Sequence, residues 1–523
     1  MQNNQSDKIV YNTSGYDIAA IIFCIATLII ALMIGQSHHI GNMSVETDFY
    51  GAYVKEVHNI LEGRPYTYQH NPPGYMLLVA AVSFLTTDFF NAAKLISAFA
   101  VALFGGAIYM LFKSIFDSRI ALSTAILSMI SLLPHSFIAS TDLLGALLTI
   151  IPLLFFFLTP RISAKTCIAA GITAGIAYWV RYNTVFVFIG ILFSLICINT
   201  GNVTFRERLR MAVLFIVAWT VTISPWLVIN WKTNGSPFAG TAILQIASHF
   251  YHPAGDLFTM ERGFPFDSLF DVIWHDPILV LKTYIMDILY LNPKQLIRSG
   301  LRYPAYLFAG AGLLLLLTEL SKRKFALLAI YLFGYLLLGL VGFYFRYYLF
   351  IVPILFLFVT FFVFHRHITT ALGRLPFFNR SVSWVIVAMI AVLICKSSYH
   401  QIQKIIHSDP TYIFELADVI RERSSPDDKI FAFKPHYGYY AGLESSFPMS
   451  HKPEDYNSEN AEDYISKARE IGAKFIIYSD KEGSLWPSLE SLADPGDVRK
   501  DLDLIYSHKP TNTLVYELIE RPE

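Results

Sequence analysis

Long apolar segments with almost no charge are the sequence feature that most limits how this chain can fold. We count twelve, most of them about 17 to 22 residues long, which as helices match a hydrocarbon core about 30 Å thick. Charged residues make up only 15% of the chain, against about 25% in an average soluble domain. The segments are at 17–35, 72–87, 91–112, 120–139, 143–159, 165–180, 183–199, 211–230, 304–320, 325–343, 347–364 and 382–398. The sequence therefore predicts an α-helical polytopic membrane protein.

The composition changes past about residue 400, where charged residues become dense and no long apolar segment remains. Short β-like stretches alternate there with polar helical stretches, as is typical of a small α/β domain. The β-like stretches are 429–433, 474–478 and 513–518, and the helical ones are 411–423 and 460–471. We predict two domains, a transmembrane domain at 1–399 and a soluble α/β domain at 400–523.

Basic residues in the short loops predict the orientation, because cytoplasmic loops are enriched in Lys and Arg. Five loops are basic, through Lys113/Arg119, Arg161/Lys165, Arg206/Arg208/Arg210, Lys322/Arg323/Lys324 and Arg366/Arg374/Arg380. All five share one side only if 72–87 lies at the surface or is half-inserted, which leaves about 11 spans. The N-terminus is then cytoplasmic, and the loops 36–90 and 231–303 lie outside with the C-terminal domain. The first apolar segment lacks a small-residue cleavage site and is predicted to be a signal anchor.

The loop 36–90 is unusually polar and is predicted to carry two juxtamembrane helices. Apolar residues recur at helical spacing over 48–62, which predicts an amphipathic helix on the membrane surface. Pro72 and Pro73 suit the start of a second interfacial helix. Asp48 lies at the first helix start, where an acid either caps the helix or stays ionised and able to accept a proton.

Other polar residues at span ends also have both a structural and a functional interpretation. Asp142 begins a span and is either a helix cap or an active-site acid. Arg181, in a very short connection, either snorkels to the interface or binds an anion. Arg346 falls at an outer span end, where a guanidinium can hold phosphate oxygens in a bidentate manner. Weaker cationic candidates are Arg64, Lys94 and His70.

The sequence shows no motif of a soluble nucleotide-dependent enzyme. A phosphate-binding glycine loop, HExxH and GxSxG are all missing, and the 15 histidines have no metal-ligand spacing. The four cysteines fall within apolar segments, so neither a disulfide framework nor a zinc site is expected. No nucleic-acid partner is expected either.

Taken in chain order, these segments and polar residues resemble those of the integral-membrane glycosyltransferases of the GT-C superfamily. The branch that they resemble includes the protein O-mannosyltransferases and the lipid A aminoarabinose transferases. The similar residues are Asp48, Leu61-Glu62-Gly63, Asn71-Pro72-Pro73-Gly74-Tyr75, Thr141-Asp142, Gly171 through Arg181 with Asn183, Pro225-Trp226 with Asn230, Gly235-Ser236-Pro237, and Arg346-Tyr347 with Pro353. The chain departs from the pattern at Phe49, where many relatives have Glu, and at Asn71, where the aminoarabinose branch has Lys.

The resemblance implies a sugar donor on undecaprenyl or dolichyl phosphate and an inverting transfer to an acceptor hydroxyl of a glycan, lipid or protein. The transferred group would be a hexose or a pentose. Asp48 would be the general base, and Asp142 would orient the acceptor or Asp48, or share a divalent ion (Mg²⁺ or Mn²⁺) with Asp48. The donor phosphate would meet some of Arg346, Arg64, Arg181, Lys94, His70 and Asn71.

A polytopic transporter or flippase for a lipid-linked or anionic substrate is the alternative function. Transporters more often show internal repeats and charges near mid-membrane, whereas here the acids cluster on one side and no repeat is visible. The predicted location is a bacterial inner membrane, with the endoplasmic reticulum as the alternative.

Overall fold

A computed structural model of the protein describes residues 14–41, 45–68, 70–159, 162–198, 203–251, 266–301, 305–342, 344–372, 382–446, 461–485, 487–493 and 501–519. The first half is almost entirely helical. Its α-helices are α1 Gly15–Gln36, α2 Val54–Leu61, α3 Gly74–Ser83, α4 Phe89–Lys113, α5 Ser118–Leu132, α6 Asp142–Phe157, α7 Ala164–Val180, α8 Val185–Cys197 and α9 Phe205–Asn234. Local chemistry sets several of their ends. For example, Asp88 caps α4 by accepting from the backbone N–H of Asn91 at 2.7 Å.

The second half continues the bundle and ends in a small sheet. Its helices are α10 Ala242–Tyr251, α11 Leu269–His275, α12 Pro277–Met286, α13 Asn292–Leu296, α14 Ala305–Thr318, α15 Lys322–Leu338, α16 Val352–Phe364, α17 Arg366–Leu372, α18 Val382–His407, α19 Tyr412–Arg423, α20 His436–Ala441, α21 Ala461–Glu470 and α22 Asp480–Leu485. Its strands are β1 Lys429–Phe431, β2 Glu444–Ser446, β3 Ala473–Tyr478, β4 Leu502–His508 and β5 Thr513–Leu518.

Six helical segments of the described chain are long and apolar enough to cross a membrane, or seven if one bent pair counts as a single span. The chain is therefore a multi-pass membrane protein. Shorter apolar helices lie between these segments, and α6, α7 and α8 have 16, 17 and 13 residues. The count of 11 spans remains a prediction.

Helix α3 occupies the segment that the charge bias required not to cross the membrane. It has 10 residues, which rise about 15 Å against a hydrocarbon core of about 30 Å. The helix is thus too short to cross by itself, in agreement with that prediction. Its buried face includes Tyr75 and Val79, whereas Phe84, just after its end, is 80% exposed.

The predicted amphipathic helix of the first outer loop is present but is buried on more than one face. It begins with a π-helical turn at Phe49–Tyr53 and continues as α2. Most of the apolar stripe is buried, although Leu61 is 44% exposed, and Glu56 on the opposite face is also buried. Its carboxylate accepts hydrogen bonds from the backbone N–H of Thr67 at 3.1 Å and from the amide of Asn59 at 3.3 Å. The prediction of a helix resting freely on the membrane surface was therefore incomplete.

The described part of the loop that follows α9 is largely helical. It contains α10 to α13 together with two π-helical turns, Asp287–Leu291 and Ile297–Leu301. Helix α12 continues without a break into the first of these π-turns. π-Turns within helices are rare and often accompany functional or strained regions.

The C-terminal part carries a five-stranded sheet in the order β2-β1-β3-β5-β4. The first three strands are parallel, and β5 pairs antiparallel with both β3 and β4. Helix α18 continues to His407 before α19 begins, so the predicted boundary at 400 falls within a helix. The C-terminal part also packs on the first outer loop, since Ile40 is fully buried among residues of α19, β1 and β3.

Candidate functional site

Asp48 is placed by the turn that starts the first outer-loop helix. Its backbone is already helical, with φ −59° and ψ −35°, and its side chain makes no capping hydrogen bond. The helix-cap interpretation of Asp48 is therefore wrong. One carboxylate oxygen instead lies 3.3 Å from Nη1 of Arg346, and the Asp48 side chain is 45% exposed. The Asp48 carboxylate is thus held by Arg346 and remains accessible to solvent.

Asp142 is the first residue of α6 and forms a second, buried ion pair with Arg181. The N-cap residue of α6 is Thr141, and the Asp142 carboxylate pairs with Arg181 instead, so the cap interpretation fails here as well. The two side chains are only 4% and 11% exposed. Gly145, one turn further along α6, makes room for the arginine, because a Cβ there would lie 2.7 Å from Cδ of Arg181.

Tyr347 joins the two ion pairs into one site. Its ring centroid lies 4.9 Å from the guanidinium carbon of Arg181 and 5.3 Å from that of Arg346, distances typical of cation–π contacts. Three of the four charged residues, Asp142, Arg181 and Arg346, line a small pocket together with polar and apolar side chains. Its lining residues are Asp142, Gly145, Ala146, Thr149, Arg181, Asn183, Thr184, Phe186, Arg346, Tyr347, Leu349 and Phe350.

Tyr53 lies within electrostatic range of all four charged groups and was not singled out from the sequence. Burial and the negative charge of Asp48 raise the pKa of its hydroxyl, so the group stays protonated. The hydroxyl oxygen accepts a hydrogen bond from the Asn71 amide at 3.1 Å. The only sequence signal was its place in the apolar stripe, which gives no hint of a polar role.

His70 and Asn71 help to shape the loop beside the pairs. Nδ1 of His70 lies 2.6 Å from the Thr241 hydroxyl, which connects the first outer loop with the loop after α9. Burial lowers the pKa of His70, although the charge of Asp48 opposes this. His70 is therefore neutral at neutral pH, so it can donate a hydrogen bond to a phosphate but supplies no positive charge.

The turn after α9 explains another sequence motif. The Asn230 amide donates to the carbonyl oxygens of Pro237 at 3.1 Å and Ala239 at 2.8 Å. Gly235 ends the helix with φ +74°, a conformation that favours glycine. These contacts fix the turn that presents Thr241 to His70.

Two of the predicted cations have other partners. Arg64 forms an exposed ion pair with Glu62 at 2.7 Å. Nζ of Lys94 donates to the carbonyl oxygens of Gly35 at 2.9 Å and His38 at 2.6 Å, at the end of α1. In the described chain neither side chain contacts the Asp48 or Asp142 pair, so the structure does not bring these two cations to the site.

The two carboxylates do not suit a shared divalent ion. Each already has an arginine partner, and two guanidinium charges beside them oppose a second cation. Mg²⁺ and Mn²⁺ prefer about six oxygen ligands. No group of three or more His, Cys, Asp or Glu side chains in the described ranges could hold a metal. The divalent ion that the resemblance implied therefore does not fit these residues.

Comparison with known proteins places this geometry in a recognised fold. Residues 70–229 match the family model described as dolichyl-phosphate-mannose-protein mannosyltransferase. No curated protein sequence matches the chain. ArnT from Cupriavidus metallidurans in the apo state is 12% identical and has a TM-score of 0.63, covering 96% of this chain and 98% of that chain.

Two further structures contain a lipid phosphate. ArnT from the same organism bound to undecaprenyl phosphate gives a TM-score of 0.57 at 12% identity, over 95% of this chain and 97% of that chain. The archaeal oligosaccharyltransferase AglB from Archaeoglobus fulgidus, in complex with an inhibitory peptide and a dolichol-phosphate, gives a TM-score of 0.54 at 16% identity. That match covers 87% of this chain and 69% of AglB. The chain is therefore a multi-pass membrane protein with the fold of the GT-C superfamily glycosyltransferases.

Proposed function

We propose that the protein is an inverting glycosyltransferase that moves a sugar from a polyprenyl-phosphate donor to an acceptor hydroxyl. The observation that carries the proposal is the accessible Asp48 carboxylate held against Arg346, which itself lines a pocket of charged and apolar side chains. The family match over 70–229 and the likeness to two structures that contain lipid phosphates support it.

Arg346 is the cation that we assign to the donor phosphate. Its side chain is 30% exposed, and one of its five N–H groups points to Asp48 at 3.3 Å. The remaining donors can bind phosphate oxygens, and a guanidinium keeps its charge at any pH of interest. Phe186, Leu349 and Phe350 add apolar side chains to the lining of the same pocket.

Arg181 is less suited to bind the donor directly. Its charge is balanced by Asp142 in a pair that is almost fully buried. We assign both residues to the frame of the site, because Arg181, held by Asp142, packs on the Tyr347 ring that Arg346 also contacts. Arg181 and Asp142 thus position the phosphate-binding arginine.

The reaction needs one base and one stabilised leaving group. Asp48 takes the proton of the acceptor hydroxyl while its oxygen attacks the sugar C1. The bond from C1 to the phosphate oxygen breaks on the opposite face, which inverts the anomeric centre. The bonding pair leaves with the polyprenyl phosphate, where Arg346 stabilises the extra negative charge.

The ion pair between Asp48 and Arg346 adds an ordering of events to this scheme. Phosphate and Asp48 compete for the same guanidinium, so a bound donor weakens the hold of Arg346 on the carboxylate. Donor binding would thereby leave the Asp48 carboxylate free to accept a hydrogen bond from the acceptor hydroxyl when the sugar is in place.

We also propose that transfer takes place on the outer face, most simply the periplasmic face of a bacterial inner membrane. Basic residues cluster in the loops of the opposite side, as is typical of cytoplasmic loops. Lipid-linked donors suit that face, because their tails lie in the membrane while no nucleotide sugar is needed.

The test is a transfer assay with purified protein in nanodiscs and a panel of radiolabelled polyprenyl-phosphate sugars. The proposal expects sugar release that depends on acceptor, and an anomeric configuration in the product opposite to that of the donor. Retention of configuration would contradict the mechanism. Counterflow of an intact lipid-linked or anionic substrate in liposomes, without sugar release, would favour the transporter.

A further inference from the structure

A second group of charges lies where α1 meets the first outer loop. Nε2 of His38 is 3.0 Å from a Glu46 carboxylate oxygen, and Nδ1 is 2.7 Å from an Asp409 oxygen. These three side chains are 0%, 1% and 4% exposed. Nζ of Lys94 donates to the His38 carbonyl oxygen at 2.6 Å. We refer to His38, Glu46, Lys94 and Asp409 as the His38 network.

His38 must be protonated to satisfy these contacts. A neutral imidazole has one donor nitrogen, whereas both nitrogens here face carboxylates. Burial opposes the charge, but the hydrogen bonds to Asp409 and Glu46 outweigh it and raise the pKa of His38 to about 9. Two cations and two anions then balance within a buried cluster, which is the condition under which buried charges are tolerated.

Glu46 links this network to both acid-bearing segments. Its other carboxylate oxygen accepts from the backbone N–H of Ala139 at 2.6 Å, three residues before Asp142. Its backbone carbonyl accepts from the N–H of Phe49 at 3.1 Å, so Glu46 also starts the turn that carries Asp48. One side chain therefore sets the separation of the two segments.

Asp409 links the network to the C-terminal domain. It lies in the short connection between α18 and α19, and its second oxygen accepts from the backbone N–H of His39 at 2.8 Å. The same domain covers the π-turn after Asp48, where the Tyr50 ring lies 4.2 Å from that of His436. Nζ of Lys434 donates to the Thr47 hydroxyl at 3.2 Å.

We propose that His38 is a positioning residue for the transfer reaction, tying Asp409 of the C-terminal domain to Glu46 and so holding the segments of Asp48 and Asp142 in register. This inference rests on the proposed function. It gives the C-terminal domain a place in the catalytic frame, which no sequence motif indicated.

The proposal predicts a loss of activity and stability at alkaline pH. A histidine with a raised pKa stabilises the fold fully below its unfolded value, about 6.5, and loses that contribution as pH rises through about 9. The charged groups that face His38 are Glu46, Asp409 and Lys94, and the rings of Phe90 and Phe137 pack on it. The Tyr50 and Tyr440 hydroxyls nearby have raised pKa values and stay neutral in this window.

The experiment compares wild type with Asp409→Asn over pH 6 to 10. Asp409→Asn keeps the shape of the side chain but removes one of the two carboxylates that hold the proton on His38. We expect the alkaline fall of kcat to move about one to three pH units lower. The control is Asp427→Asn, the same change at an exposed position of the same domain, which should leave the profile unchanged. If kcat of Asp409→Asn were lower than that of wild type by the same factor at every pH, with no shift of the alkaline fall, the positioning role of His38 would be overturned.

A second measurement needs no turnover. The thermal unfolding midpoint of wild type in detergent should fall between about pH 7 and 9, and that fall should begin at lower pH in Asp409→Asn. If the unfolding midpoint depended on pH in the same way in wild type and in Asp409→Asn, the proposed role of the His38 network would be overturned as well. If wild type transferred no sugar from any lipid-linked donor, the proposed function would fail and the positioning role with it, whereas the unfolding data would still decide whether His38 joins the domain to the loop.

Discussion

The two ion pairs at the site differ in the solvent exposure of their side chains. This difference distinguishes a pair suited to a structural role from one suited to a chemical role. The pair of Asp142 and Arg181 is almost fully enclosed, with 4% and 11% of the side chains exposed. The pair of Asp48 and Arg346 has a contact of 3.3 Å and exposures of 45% and 30%. An enclosed pair cannot exchange partners without leaving a buried charge, whereas an open pair can. We therefore propose that the enclosed pair builds the site and that the open pair takes part in the reaction.

The two pairs are also expected to differ in how much they contribute to the free energy of unfolding. Removing one partner of a buried ion pair costs about 3 to 5 kcal/mol, because the other charge is left without compensation. Exposed pairs contribute about 0 to 1 kcal/mol. Substitutions in the enclosed pair should affect both folding and activity, whereas substitutions in the open pair should affect activity alone.

Arg181→Ala should have the largest effect on the protein as a whole. It leaves the Asp142 carboxylate buried and unpaired, so we expect about 3 to 5 kcal/mol of lost stability together with loss of transfer. Thermal unfolding in detergent and the transfer assay measure the two effects. The double variant Arg181→Met, Asp142→Leu should recover much of the stability but not the activity. A stable single variant would show that the pair is not structural.

Arg346→Ala should weaken donor binding with little effect on folding. A hydrogen bond to a charged group contributes about 1.5 to 3 kcal/mol, which corresponds to an increase in the donor KM of about ten- to a hundredfold. The unfolding midpoint should stay near that of wild type. Arg346→Lys should restore part of the affinity, since it keeps the charge but loses the bidentate geometry. An unchanged KM in Arg346→Ala would place the phosphate elsewhere.

Gly145→Ala tests the room made for Arg181. The added Cβ would lie 2.7 Å from Cδ of that arginine, so the side chain must move. Overpacking of this kind costs about 1 to 3 kcal/mol, and we expect a lower unfolding midpoint and slower transfer. Gly310 in α14 is the control, because a Cβ there meets nothing within 4 Å. Equal behaviour of the two alanine variants would contradict the packing argument.

Removal of divalent ions should have the smallest effect. Both acids are paired with arginines, so the transfer rate in excess EDTA should equal that in Mg²⁺ or Mn²⁺. Loss of activity in EDTA that returns with one added metal would show that a carboxylate leaves its arginine to bind that ion.

The sequence predicted the position of the site better than its internal contacts. Charge bias predicted that Asp48, Asp142 and Arg346 lie on one face, and the structure brings the two ion pairs that contain them together around Tyr347. Which arginine pairs with which acid could not be predicted, because the partners lie 298 and 39 residues apart. Such pairs are set by helix packing and have no spacing that a single sequence reveals.

Residues that bridge separate parts of the fold were missed for the same reason. His38 follows the first apolar helix and belongs to no motif, and its partner Asp409 is 371 residues away. In the C-terminal domain the predicted strands 429–433, 474–478 and 513–518 correspond to β1, β3 and β5. Strand β2 was missed because all three of its residues are polar, and β4 because polar side chains interrupt its apolar positions.

The most direct test of the account is Asp48→Asn, with transfer rate and thermal unfolding measured on the same preparation. The amide cannot accept the acceptor proton, so the rate should fall by about 10²- to 10⁴-fold. The unfolding midpoint should not change, because the open pair contributes little to stability. Asp88→Asn, a helix cap that asparagine can also fill, should retain both properties. Near wild-type transfer by Asp48→Asn would contradict the role of Asp48 as the base.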